Sequence, residues 1–164
     1  MLLDLWGIQV QDNESHTTNT MNLTQRPPRS PRTRLGGYVI LPRMLDKGRA
    51  TIAGSNGEYH YNCPLDEHFL KFSGIDPEAL LVELKAGKGD GEILEWVKAN
   101  SKSKPTELEI KSWSAWQESR VPSSVETREY MHEAQKKIAP NRDDIAAWFD
   151  LLDVDDFVTF GGKV

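Results

Sequence analysis

From residue 41 onward the apolar positions recur at helical rather than strand intervals. Leu41, Leu45, Gly48 and Ile52 follow one another at steps of four, three and four, which puts them on one side of a helix, with Arg43, Asp46, Lys47 and Ala50 on another. Pro42 fits the start of that helix, because the N–H it lacks would have no intrahelical acceptor in the first turn. From Asp66 onward the signals turn helical, and a helix is predicted after Asp76-Pro77, a cap followed by a first-turn proline, with Leu80, Leu81 and Leu84 as its stripe and Gly87 closing it. Asp90 is read as the cap of a partner helix carrying Ile93, Leu94 and Val97, so the two form a helical hairpin. Thr106 with Glu109 makes a capping box ahead of Ile110, Trp113 and Trp116. Ser123 with Glu126 repeats the pattern before Met131, Ala134 and Ile138, where Pro140 ends the helix. Asn141 is read as the cap of a last helix bearing Ile145, Trp148, Phe149 and Leu152.

Residues 38–41 are read as a short strand or a kinked helical turn, residues 59–62 as part of a Gly/Asn-containing loop whose alternating Tyr59 and Tyr61 also suit a short strand, and residues 157–160 as a terminal strand or tail. The expectation is therefore a mainly α, single compact multi-helix domain with at most a few short strands. Residues 22–164 form that domain, opening with the Pro/Arg-rich arm QRPPRSPR. Residues 1–21 are read as an N-terminal extension, with Met21 as a candidate start of translation. The apolar stretch LLDLWGIQV has no basic residue before it, contains Asp4, and leads into polar sequence without a small-residue cleavage site, so it is not read as a secretion signal.

Charge is unevenly distributed along the chain. The formal net charge is -5, yet residues 26–49 hold seven Lys or Arg and one Asp, leaving the acidic excess to the rest of the chain. Such a basic block either draws phosphates and carboxylates or packs against the protein's own acidic helices. Nucleic acid is disfavoured by a sequence pI of about 5.4 and the absence of a recognisable reading element. No apolar run reaches the roughly 20 residues of a membrane span. The lone cysteine, Cys63, excludes an internal disulfide and fits a cytoplasmic location.

Candidate chemistry is sparse. His60, Cys63 and His68 have ligand-type side chains, but H-x2-C-x4-H matches no four-ligand pattern, and no metal or other cofactor is implied. Cys63 with a histidine could form a nucleophile and base, although Pro64 removes the following amide from any oxyanion hole. Phosphate-loop, dinucleotide and serine-hydrolase signatures are absent. Trp96, Trp113, Trp116 and Trp148 fall at apolar helix positions and are read as core. Arg43, Asp46 and Lys47 share a helix face, read either as a surface ion pair with a solvated lysine or as an anion-binding face reinforced by Arg34 and Arg49.

The segments LTQRPPRSP, RLGGY, LPRMLDKGRA, CPLDEHFLKFSGID and ILEWV resemble an uncharacterised bacterial domain-of-unknown-function family, from about Asn22 to the C-terminus. The resemblance implies a cytoplasmic, largely helical protein and supplies no activity, substrate or cofactor. It points to Tyr38, Arg43, Asp46, Lys47, Arg49, Tyr59, His60 and Cys63 as the residues of any shared site. Two functions stay open on the sequence: binding of an anionic small molecule by this Arg/Lys/Tyr set, or docking of an acidic protein or a second copy through the arm.

Overall fold

The computed structural model describes residues 21–164, so the expectations for residues 1–20 lie outside the described residues. The described residues form seven helices: α1 (Leu41–Ala53), α2 (Pro64–Ser73), α3 (Pro77–Lys85), α4 (Asp90–Asn100), α5 (Glu107–Glu118), α6 (Val125–Ile138) and α7 (Trp148–Thr159). Helix α1 is central and packs on α2 and α3, while α6 pairs with α7. The main core gathers Tyr38 to Leu41, Met44 and Leu45 against Phe69, Leu80, Ile93, Val97 and Phe149. Met131, Ala139, Ile145 and Leu151 form a second core between α6 and α7.

Local signals act where they stand in the sequence. Asp76 accepts the amide of Ala79, and Thr106 exchanges hydrogen bonds with Glu109. Three predicted helix starts move. Gly89 rather than Asp90 caps α4, and Ser124 rather than Ser123 caps α6, with Thr127 returning the bond. The last helix begins at Trp148, not after Asn141; Asp150 reaches back to the amide of Ala147, and the amide of Trp148 is taken by the carbonyl of Arg120.

None of the three segments forms a strand. Residues 157–159 continue α7, and residues 59–62 take the loop alternative. At residues 38–41 a tight turn through Gly36 and Gly37, both at positive φ, closes an isolated Leu35–Tyr38 bridge, and the chain then enters α1 directly. A short apolar run becomes a strand only if another strand is there to accept its ladder. Ile40, at φ 70°, sits at the centre of a γ-turn closed by the Leu41 amide on the Val39 carbonyl. A β-branched residue is costly there. Its complete burial and the bond from its amide to the Pro31 carbonyl hold it in place.

The predicted two-sided helix α1 is also corrected. Leu41 to Gly48 are all buried, including Arg43, Asp46 and Lys47, whereas Ile52, expected inside, is 40% exposed where the helix leaves the core. Gly48 lets the neighbours close in: a Cβ there would lie 2.6 Å from Leu84 Cδ1. Of the tryptophans, Trp96, Trp113 and Trp148 pack against the two cores, and Trp113 stacks on Phe72 with centroids 4.6 Å apart. Trp116 is instead exposed beneath the guanidinium of Arg120.

Candidate functional site

A helix buried with two cations and an anion in its middle requires partners for each, since an unpaired buried charge costs several kcal/mol. They come from the arm and from distant helices. Asp46 receives the Nε and Nη2 of Arg29 at 2.9 and 2.7 Å and the Arg29 amide at 2.9 Å. The same guanidinium reaches Asp90 at 2.5 Å and the Pro42 carbonyl at 3.1 Å. Burial works against its charge, but Asp46 and Asp90 outweigh that and hold it more firmly protonated than a free arginine. Arg49 donates to the second oxygen of Asp90 at 2.7 Å. Burial pushes the Asp90 carboxyl up, and the two arginines more than reverse it, leaving it below the ordinary range.

Arg43 makes a two-pronged pair with Asp156 of α7, at 2.6 and 3.1 Å, and donates to the Arg29 carbonyl at 3.1 Å. The Tyr59 hydroxyl donates to Asp156 at 2.7 Å, and its ring lies under the Arg43 guanidinium, 5.5 Å away. Burial, then the bond to Asp156, raises the Tyr59 phenol above its usual range, so it stays a donor at neutral pH. Lys47 donates to Asp66 at 2.7 Å and to Cys63 Sγ at 3.1 Å. Asp66 also accepts the Cys63 amide at the start of α2. Burial pushes its carboxyl up against the pull of Lys47. Farther out, Arg32 pairs with Asp150 and Asp153, and Arg34 with Glu118.

The basic block therefore packs against the protein's own acidic helices. The reading of Arg43, Asp46 and Lys47 as a surface pair with a solvated lysine is corrected: Arg43 and Asp46 do not pair with each other, and all three side chains are internal.

Beside this network lies a half-open cavity of about 750 Å³ bordered by Leu23 and Thr24, α1, the 57–63 loop, α6 and α7. Of the residues singled out in the sequence, Arg43, Lys47, Tyr59, His60 and Cys63 line it. Asp46 and Arg49 do not; they belong to the Arg29–Asp90 cluster. Tyr38 is 2% exposed, its ring edge-on to Phe69 at 5.3 Å, and borders a separate depression of about 300 Å³ near Gly36 and Lys111. The arrangement also brings in residues the sequence did not single out, above all Glu58, Tyr130, Leu152 and Asp155. The one signal for Asp155 is the adjacent pair Asp155-Asp156, one member turned to Arg43 and the other to the cavity.

His60, Cys63 and His68 do not converge: His68 meets Arg120 at 2.9 Å, away from the cavity, and among the described residues no group of three His, Cys, Asp or Glu is placed to hold a metal. Burial, and after it the charge of Arg120, lowers the His68 pKa and keeps that imidazole neutral.

Residues 25–158 match the family described as a domain of unknown function, DUF5069. The chain belongs to that family. The DUF5069 match bears out the resemblance to an uncharacterised domain family. It runs from the arm to the end of α7, so both halves of the Arg29–Asp46, Arg43–Asp156 and Lys47–Asp66 pairs fall within the DUF5069 domain. No curated protein matches the chain. Among the described residues no helix is long and apolar enough to cross a membrane.

Proposed function

We propose that this DUF5069 domain binds a small organic molecule in the cavity between α1, the 57–63 loop, α6 and α7. The observation that carries the reading is the cavity itself, at about 750 Å³ within the range of small-molecule sites, with convergent polar groups from four parts of the chain. Tyr59 and Arg43 are fixed by Asp156, and Lys47 and Cys63 by Asp66, so the polar wall is held rigid before a ligand arrives. An anionic ligand is the weaker form of this reading, because it would compete with Asp156 and Asp66 for cations already paired. Docking through the arm is weaker still. Two of its three arginines, Arg29 and Arg32, are engaged by the domain, and Pro28 and Pro31 are buried.

The test is native mass spectrometry of the purified full chain beside Leu152→Trp, which fills the cavity. A retained small molecule on the wild type that is lost from a folded Leu152→Trp variant supports the reading. A species kept equally by both lies elsewhere and defeats it.

A further inference from the structure

The cavity has a second compartment. A narrower groove of about 310 Å³ runs between α6 and α7 and shares Tyr130, Leu152 and Asp155 with the first. Its remaining walls are chiefly apolar, with Ala134, Ile138 and Leu151 along its length. From Tyr130 at the junction to Lys137 at the other end is two helical turns, about 10 Å at the usual helical rise. A polar chamber and an apolar slot therefore meet at Asp155.

The charges around that junction are uneven. Arg43 and Lys47 are each cancelled by a buried carboxylate, Asp156 and Asp66. Glu58 and Asp155 have no ion-pair partner among the described residues, so the wide chamber carries their two negative charges. On the α6 side Glu133 pairs with Lys136, and Lys137 stands at the far end of the slot. Although Asp155 as a residue is exposed, its carboxyl is partly desolvated by the cavity wall. That desolvation, followed by the neighbouring Asp156 and then by Glu58, raises its pKa against the opposing pull of Arg43. A carboxylate in that position is relieved by a cation. The Tyr130 ring beside it adds an aromatic surface of the kind that attracts ammonium groups.

We propose that the site takes a small organic cation with an apolar tail, its ammonium or guanidinium head between Asp155 and Glu58 and its tail laid along the slot between α6 and α7. This rests on the small-molecule reading above and adds the ligand's sign and shape. Head and tail recognise separately: the carboxylates select charge, and Ala134, Ile138 and Leu151 select an unbranched body of about two helical turns.

Calorimetric titration of the full chain with octylammonium, octanoate and octanol separates these contributions, since the three share one tail. Octylammonium is expected to bind at least tenfold more tightly than octanoate, with octanol between them. Asp155→Asn should remove most of that preference without unfolding the protein, and acidification should weaken octylammonium as Asp155 takes up a proton. Ala134→Trp should weaken all three alike. Binding of octanoate as tight as octylammonium, or a preference untouched by Asp155→Asn, overturns the inference while leaving the cavity a small-molecule site. If none of the three binds, the inference falls; the small-molecule reading then stands or falls separately on a retained species displaced by Leu152→Trp.

Discussion

Replacing Arg43 with alanine removes a guanidinium that is 3% exposed and deprives Asp156, itself 6% exposed, of both its charge-assisted bonds. What remains to that carboxylate is the Tyr59 hydroxyl alone. Breaking one side of a buried pair costs about 3–5 kcal/mol, most of it the burden of the charge left behind. The Arg29 carbonyl also loses its donor, which places the expected loss in the upper half of that range. Urea unfolding followed by tryptophan fluorescence measures it, provided that the slope against denaturant is unchanged. Arg43→Met with Asp156→Leu is the control. If the penalty is the orphaned carboxylate, the double variant should recover at least half of the lost stability, because apolar residues of similar volume often replace a buried ion pair at little cost. A loss below about 1 kcal/mol for Arg43→Ala would show that the pair is not buried as described, since that is the worth of a solvated pair.

Arg29→Lys keeps the charge but cannot reproduce the fork on Asp46 and Asp90; a loss of about 1–3 kcal/mol is expected, with faster proteolysis at residues 26–34 as the second readout. Gly36→Ala combines a φ of 58° with a Cβ 2.4 Å from Leu94 Cδ1, and should lower stability by about 1–3 kcal/mol in the same unfolding assay. Asp155 has its folded pKa raised, so the stability it contributes is complete below its unfolded pKa and is lost as pH rises through the folded one. Asp155→Asn is therefore expected to melt above the wild type at pH 7, and the two melting curves should converge as pH falls towards the ordinary carboxylate range.

The fold was legible where its causes are local. Asp76 with Pro77 and Thr106 with Glu109 start helices using groups within three or four residues of one another, and those starts stand where the sequence puts them. The misplacements are also local in scale: Ser124 and Thr127 form as good a box as Ser123 and Glu126, and Asn141 loses to a helix start supported by Asp150 and by the Arg120 carbonyl. The site was legible in part. Arg43, Lys47, Tyr59, His60 and Cys63 cluster because two short segments are packed together. What spacing could not reveal is that α1 is buried on nearly all sides, since the carboxylates that neutralise it lie up to 113 residues away. The same distance hid Asp155, whose importance comes from being the neighbour that Arg43 leaves unpaired.

The separation of Arg43 from Asp156 also bears on how the protein is made. Helix α1 is among the first described elements to leave the ribosome, yet its central arginine finds its carboxylate 113 residues later, which at the usual pace of synthesis is about 6 to 23 s. During that interval burying Arg43 would strand its charge, which disfavours final packing of α1 before α7 is available. The half-exposed pairs of Arg32 with Asp150 and Asp153 on the arm are likewise completed only once α7 is made. A nascent chain stalled before residue 150 therefore leaves Arg43 without its carboxylate and the apolar residues of α1 short of their final packing.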